Sequence, residues 1–141
     1  MLVRLMYASR AADSVNQDAL VAILKKSKAN NPLTGVTGVL CFSGGLFLQV
    51  LEGGRGPVNA LYHRIAADPR HRDVLLLSYE EIEERSFAGW AMGQVNLSRI
   101  NPALLLKYSE TAQLDPYAVS GKVSMALFNE LVATASVMGQ G

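Results

Sequence analysis

The stretch VTGVLCFSGGLFLQVL, residues 36–51, decides the fold of this 141-residue chain. It contains two apolar runs, 36–42 and 46–51, which are separated by Ser43-Gly44-Gly45. Two short apolar runs joined by a glycine-containing turn are typical of a β-hairpin. The stretch therefore predicts a pair of antiparallel strands in the first half of the chain.

On either side of this hairpin the sequence predicts further strands and helices. Residues 2–9 alternate as a strand, and Ser14-Val15-Asn16-Gln17 has the capping-box spacing that begins a helix. Asn31-Pro32 is expected to end that helix, because a residue before proline is disfavoured in the α region. Gly56-Pro57 begins a second helix with proline in its first turn, and this helix ends before Asp68-Pro69.

Two more strands are predicted after the second helix. The near-continuous apolar run 74–78 suits a strand that is covered on both faces, and residues 90–97 supply the last strand. The resulting order, β-α-β-β-α-β-β, contains the split βαβ arrangement of a ferredoxin-like fold. The sequence therefore predicts an α+β protein with both helices on one face of the sheet.

The tail of the chain is expected to cover the other face of that sheet. Residues 119–138 carry apolar side chains at helical spacing around most of the circumference, which is typical of a buried helix. We therefore divide the chain into a sheet domain, 1–98, and a helical extension, 99–141. The extension is expected to pack on the sheet or in an oligomer interface.

The composition excludes several functional classes. Half of the residues are hydrophobic and 18% are charged, so the chain can bury enough apolar surface to fold. Thirteen Lys and Arg against twelve Asp and Glu argue against direct nucleic-acid binding. A single cysteine, Cys41, and two histidines without ligand spacing argue against a disulfide framework or a metal site. Without a signal peptide or a membrane-length apolar run, a soluble cytoplasmic domain is expected.

Two polar side chains share the sheet face that the helices are expected to cover. By strand alternation Gln49 points the same way as Phe47 and Leu51, and Tyr7 the same way as Val3. A buried amide or phenol needs a hydrogen-bond partner. Tyr7 and Gln49 could satisfy each other or bond to backbone, and they could also form part of a polar site.

Both predicted helices add polar residues beside their apolar stripes. These are Ser27, Asn30 and Asn31 on the first helix, Arg64 and Asp68 on the second, and His71 in the following turn. Each has a structural alternative: Ser27 can bond its own backbone, Asn31 can cap its helix, and the Arg64–Asp68 pair can face water. Together with Tyr7 and Gln49, this set favours a slot for a flat polar ligand.

A series of short motifs resembles those of the BLUF photoreceptors, which sense blue light using flavin. In order they are RLMYAS (4–9), NNP (30–32) with GVTGVL (35–40), FLQVLEG (47–53), YHRI (62–65), DPRH (68–71), RSF (85–87) and WAM (90–92). The resemblance runs from about residue 2 to residue 98. The remaining tail looks like that of the short, stand-alone members of cyanobacterial type.

The resemblance implies that residues 1–98 form a flavin-binding domain without enzymatic activity. FAD would lie noncovalently between the two helices, with its ring edge toward Tyr7 and Gln49. Carried over by residue, Asn31 would bond the pyrimidine edge of the flavin, with Ser27 and Asn30 near the ring. Ile23 and Ile65 would sandwich the ring between them. Arg64 and Asp68 would hold the ring edge and the ribityl side, and His71 would lie near the phosphate.

The resemblance also implies a photochemical mechanism. Light would drive an electron and a proton from Tyr7 to the flavin by way of Gln49, whose amide then rearranges. Trp90 and Met92 would relay the change to the tail. Which of them faces the flavin stays open. Strict strand alternation would place both on one side, so a bulge or pivot would be needed for them to exchange positions.

The partners implied by the resemblance are a downstream signalling protein and further copies of the chain, as a dimer or a ring-shaped decamer. Two alternatives stay open. One is a flavin-dependent redox enzyme of ferredoxin-like fold, and the other is a flavin-free interaction module in which the polar set is only structural.

Overall fold

The computed structural model describes residues 1–96, 101–134 and 136–138 of the chain. Its elements are β1 (Leu2–Ala11), α1 (Gln17–Thr34), β2 (Thr37–Ser43), β3 (Leu46–Gly54), α2 (Arg55–Ala67), β4 (His71–Ile82), β5 (Gly93–Asn96), α3 (Pro102–Tyr108), α4 (Gly121–Thr134) and β6 (Ser136–Met138). The predicted boundary at residue 98 lies outside the described residues, so the division into two parts stays a prediction.

The six strands form one sheet in the order β4-β1-β3-β2-β5-β6. Strand β1 runs antiparallel to both β3 and β4, and β2 runs antiparallel to β3. Strand β5 lies parallel to β2 at the other side. The order of the first four strands is the one that a split βαβ connection produces. The predicted α+β, ferredoxin-like arrangement is therefore confirmed.

Two apolar clusters lie on opposite faces of this sheet, because successive strand residues point to opposite sides. On the α1/α2 face, Leu20 and Val58 pack with Val3, Leu5, Tyr7, Val36, Leu40, Phe47, Leu51 and Met92. On the α4 face, Leu127, Phe128 and Leu131 pack with Met6, Ala8, Val39, Cys41, Leu48, Val50, Phe87 and Val95. The tail therefore covers the second face of the sheet, as the sequence predicts.

Gly121 lets the first turn of α4 approach β4 closely. A Cβ atom at this position would overlap the carbonyl group of Leu77, so only glycine fits there without displacement. Leu77 is the extra residue where the register between β1 and β4 shifts, since Met6 pairs with Ser78 and Tyr7 with Leu76. The bulge and the glycine together allow the start of α4 to pack closely against β4.

Helix α1 begins and ends at residues other than those predicted. Asn16 caps its N-terminus rather than Ser14. The helix runs through Pro32 and ends before Gly35, whose φ of 72° is left-handed and whose N–H returns to the carbonyl of Asn31. The predicted end at Asn31-Pro32 is wrong because a proline in the last turn removes a single helical hydrogen bond.

Strand β4 is an edge strand, and the prediction that both of its faces are covered is wrong. It pairs with β1 alone in the described sheet. Leu75 and Leu76 are 41% and 47% exposed. An apolar run shows that a segment favours a strand, but it does not distinguish a central strand from an edge strand.

The end of the sheet also differs from the prediction. Strand β5 begins only at Gly93, so Trp90 and Met92 precede it, and Leu97 lies outside the described residues. The tail helix predicted over residues 119–138 is observed as the shorter helix α4, Gly121–Thr134. Residues 136–138 form strand β6, which pairs with β5. The short helix α3 was not predicted.

Candidate functional site

A cavity of about 360 Å³ opens between α1, α2 and the sheet, which is within the range of small-molecule sites. All of the predicted ligand-binding residues line it: Tyr7, Ile23, Ser27, Asn30, Asn31, Gln49, Arg64, Ile65, Asp68 and His71. The rest of the lining consists of Lys26, Leu33, Thr34, Leu40, Phe47, Leu61, Arg70 and Met92. The structure thus brings the whole predicted set together.

The floor of the cavity carries a chain of three buried side chains. The antiparallel register places Tyr7 of β1 directly opposite Gln49 of β3. The Tyr7 hydroxyl donates a hydrogen bond to Gln49 Oε1, and Gln49 Nε2 donates to Met92 Sδ at 3.2 Å. Burial, with smaller contributions from Tyr62 and Asp68, raises the pKa of the Tyr7 phenol. The phenol is therefore protonated and can act as a donor.

Asn31 ties the end of α1 to the chain segment that leads to Met92. Its side chain is 4% exposed, and its Nδ2 donates to the carbonyl of Ala91 at 2.8 Å. The helix cap uses the backbone carbonyl of Asn31, which receives the N–H of Gly35. The side-chain amide is therefore not needed for capping and is available to the cavity wall.

An ion pair between Asp68 and Arg70 forms another part of the lining. Arg70 Nη2 lies 2.6 Å from Asp68 Oδ2, and this hydrogen bond lowers the pKa of Asp68 to about 2. Arg64 and Asp68 have i, i+4 spacing in the sequence, but the cation that pairs with Asp68 is Arg70. Helix α2 ends at Ala67 and Asp68 has extended backbone, φ −77° and ψ 126°. Its carboxylate consequently turns toward Arg70 and not back along the helix.

His71 closes the cavity beside Tyr7. Its Nδ1 lies 2.7 Å from the hydroxyl oxygen of the fully buried Ser9, and its ring packs 4.5 Å from the ring of Phe47. Burial is the main cause that lowers the pKa of His71, with Arg70 acting in the same direction. The imidazole is therefore neutral around neutral pH.

We expect the protein to lose stability as the pH falls below 6.5, the ordinary pKa of histidine. The pKa of His71 is lower in the folded than in the unfolded protein, so protons bind the unfolded chain better. The stability contributed by neutral His71 is complete above pH 6.5 and disappears as the pH falls through the folded pKa. Thermal midpoints measured from about pH 8 to about pH 5 check this.

His71→Gln should flatten that pH dependence. The matched control is His63→Gln, because His63 is exposed and is the other of the two histidines. An equal slope in the wild type and in His71→Gln would contradict this assignment.

Trp90 and Met92 lie on opposite sides of the sheet. Met92 is 1% exposed and lines the cavity, whereas Trp90 stacks on Phe87 with ring centroids 5.8 Å apart on the α4 face. Strict alternation would place both on one side, but these residues precede β5 and do not alternate as a strand, so the departure from alternation that their exchange requires is present. Met92 is the residue that meets Gln49.

The sequence analysis missed the role of Glu52, a fully buried carboxylate on β3. It accepts hydrogen bonds from Arg4 Nε at 2.8 Å and from the backbone N–H groups of Ser86 at 3.0 Å and Phe87 at 2.7 Å. A charged residue directly after the apolar run 46–51 was the available signal. Its partners could not be read from the sequence, because they lie far away along the chain.

Other kinds of site receive no support from the part of the chain that the structure describes. Within residues 1–96, 101–134 and 136–138, no group of three or more His, Cys, Asp or Glu is placed to hold a metal ion. None of the described helices combines the length and apolarity that crossing a membrane requires. Burial raises the pKa of Cys41 to about 12, so its thiol stays protonated.

Comparison with known proteins identifies the family to which this chain belongs. A family model described as sensors of blue-light using FAD, BLUF, matches residues 2–93. The chain belongs to the BLUF family. It is similar to BlsA in its photo-activated state, with 32% identity, a TM-score of 0.82, and coverage of 96% of this chain and 99% of BlsA. It is likewise similar to the dark state of BlrB, a BLUF protein, with 32% identity, a TM-score of 0.79, and coverage of 94% and 95%.

One curated relative is the photoactivated adenylate cyclase subunit alpha of Euglena gracilis, with 38% identity over 86 residues. The match covers 61% of this chain and 8% of that protein, so the chain spans less than a tenth of the relative's length. What they share is the BLUF sensor region. The chain therefore belongs to a family of flavin-binding blue-light sensors. BLUF proteins pass their signal to downstream effectors.

Proposed function

We propose that the cavity binds FAD noncovalently and that Tyr7 and Gln49 carry the response to light. The observation that supports this most directly is the buried phenol–amide pair on the cavity floor. A buried amide with distinct donor and acceptor ends is a two-state element. Reversing it changes several hydrogen bonds at once, which is what a reversible sensor requires.

The walls of the cavity suit the ring of a flavin. Ile23 and Ile65 reach it from α1 and α2 and offer apolar contact to the two faces of a planar ligand. Asn31 and Gln49 place amides at its buried end, where they match the alternating donors and acceptors of an isoalloxazine edge. Ser27 and Asn30 add polar contacts on the α1 side. This donor set fits a flavin.

Cationic side chains line the same cavity and support a phosphorylated flavin. Lys26, Arg64 and Arg70 contribute positive charge, and Asp68 offsets only part of it. Arginine and lysine are the usual partners of phosphate oxygens. We propose FAD over FMN from the family description alone, since the positive charge suits the phosphate of either flavin, and we expect His71 to lie toward the phosphate end.

The bound flavin would supply a chromophore that becomes a strong oxidant when it absorbs blue light. Tyr7 would give up an electron and then a proton, which leaves along the existing hydrogen bond to Gln49 Oε1, and both would return to Tyr7 when the charges recombine, so that no net oxidation remains. The amide of Gln49 then settles with its donor and acceptor ends rearranged. The altered hydrogen bonding at the ring edge shifts the absorption to the red.

The same rearrangement must disturb Met92. In the arrangement that the structure shows, Gln49 Nε2 donates to the thioether sulfur. A thioether has no hydrogen to donate, so it cannot bond the carbonyl oxygen that a rotated amide would present. Met92 therefore moves or loses its contact, and with Trp90 it relays the change to α4. The signalling partner, the dimer or ring-shaped decamer and the cytoplasmic location stay predictions.

An absorption spectrum before and after blue illumination tests this function. We expect purified protein to be yellow, to shift slightly to the red, and to return in the dark. Chromatography of the cofactor released on denaturation distinguishes FAD from FMN. A flavin spectrum that bleaches without a shift would favour a redox enzyme, and protein without flavin would favour an interaction module.

A further inference from the structure

The segment that joins β4 to β5, residues 83–92, is held by β3 at two points, and we name it the β4–β5 connector. Near its C-terminal end, Met92 Sδ receives the hydrogen bond of Gln49. Near its middle, the N–H groups of Ser86 and Phe87 donate to the carboxylate of Glu52 at 3.0 and 2.7 Å. One strand therefore holds both the light-responsive contact and a fixed contact.

The two contacts lie on opposite faces of the sheet. Gln49 lines the cavity, whereas Glu52 is three residues further along and points to the other side by strand alternation. Phe87, which Glu52 binds, belongs to the cluster on the α4 face. The ring of Phe87 meets that of Phe128 of α4 edge-to-face with centroids 6.3 Å apart. The connector thus crosses from the cavity to the helical extension.

Further hydrogen bonds hold the connector between these two contacts. The N–H of Trp90 donates to the carbonyl of Phe87 at 3.1 Å, and the carbonyl of Trp90 accepts from Gly38 of β2 at 3.0 Å. Asn31 holds the carbonyl of Ala91 at 2.8 Å. A short segment with so many backbone contacts moves as a unit. A displacement of Met92 is then transmitted and not absorbed by a flexible loop.

We propose that Glu52 is a positioning residue for the light response, because it anchors the connector at Ser86 and Phe87 while Gln49 changes its contact with Met92. The proposal rests on the proposed function of Tyr7 and Gln49. Because the backbone is anchored at Ser86 and Phe87, the movement of Met92 becomes a rotation of the connector about that point, which turns the ring of Phe87 against Phe128 of α4.

A carboxylate suits this task better than any neutral side chain. The anchor accepts from two backbone N–H groups and from the guanidinium of Arg4, so it needs an acceptor with several lone pairs and no hydrogens. Arg4 also compensates the buried negative charge, since its side chain is only 16% exposed. In Glu52→Gln the amide hydrogens would face one of these donors.

Hydrogen exchange in the flavin-loaded protein, kept in the dark, tests the anchor. In Glu52→Gln we expect the backbone amides of Ser86 and Phe87 to exchange roughly 10- to 100-fold faster, because hydrogen bonds to a charged group are lost. We also expect the red-shifted state to return about tenfold faster in the dark, since a loosened connector lowers the barrier for Met92 and Gln49 to regain their contact.

The matched control is Glu80→Gln. Glu80 binds the same guanidinium, with its Oε1 3.0 Å from Arg4 Nη1, but its side chain is 49% exposed and this bond is to Arg4 and not to the connector. We expect both readouts of this variant to stay within about twofold of the wild type. Glu52→Asp retains the charge with one methylene fewer, and it should restore both readouts in part.

The outcomes separate the possibilities. Faster exchange with unchanged dark recovery in Glu52→Gln would mean that Glu52 is structural only, and the proposal would be wrong. Unchanged exchange would overturn the anchor itself. If Glu52→Gln does not fold, the same two readouts of Glu52→Asp decide. Absence of any red shift in the wild type would instead overturn the proposed light response of Tyr7 and Gln49, whereas the exchange rates are measured in the dark and require no light response.

Discussion

Tyr7→Phe is expected to abolish the light-induced red shift while flavin stays bound. Phenylalanine retains the ring that packs 5.7 Å from the ring of Tyr62 and 6.2 Å from that of His71. It removes the hydroxyl that donates to Gln49 Oε1. The electron and proton donor is then missing, and the amide has no cause to rearrange. Absorption spectra before and after blue light measure the loss directly.

Tyr62→Phe is the control for the loss of a phenol near the cavity. Tyr62 lies beside Tyr7, and its hydroxyl is not the donor to Gln49. We expect this variant to keep its red shift. Leaving Gln49 Oε1 without its donor costs about 1–3 kcal/mol, so Tyr7→Phe should still fold and bind flavin. A full, reversible shift in Tyr7→Phe would show that another residue carries the photochemistry.

Strand alternation and helical spacing were enough to predict where the cavity lies. Both are local rules, and they placed Tyr7 and Gln49 on the face that α1 and α2 cover. Alternation also makes the opposite face of the sheet apolar. An apolar face has to be covered, so the apolar tail was predicted to pack on it. The structure brings the ten predicted residues to one cavity, while their contacts with flavin stay predictions.

Features that depend on the exact residue at which a helix or strand begins or ends were not predictable from the sequence. Asp68 pairs with Arg70 because α2 has ended, and Trp90 and Met92 separate because β5 has not yet begun. Element ends are set by tertiary contacts more than by local pattern. Glu52 was missed for a related reason, since its donors come from another part of the chain.

Phe128→Ala is expected to lower the free energy of unfolding by about 3–5 kcal/mol, the usual cost of emptying a buried aromatic site. Phe128 of α4 is fully buried and packs edge-to-face on Phe87. The loss is a large fraction of the roughly 5–15 kcal/mol that stabilises a typical domain. Urea unfolding followed by the fluorescence of Trp90, the single tryptophan, measures it.

Leu106→Ala is the control, because Leu106 of α3 is 54% exposed and should change the free energy by no more than about 0.5 kcal/mol. The position of Trp90 makes the measurement informative about coupling. Its ring stacks on Phe87, which joins the β4–β5 connector to Phe128. One shifted transition would show that α4 and the sheet unfold together, as signal transfer through packed side chains requires. A decrease of less than about 1 kcal/mol in the free energy of unfolding would mean that packing of α4 on the sheet contributes little to stability. The signal from the β4–β5 connector would then have to reach the signalling partner without passing through α4.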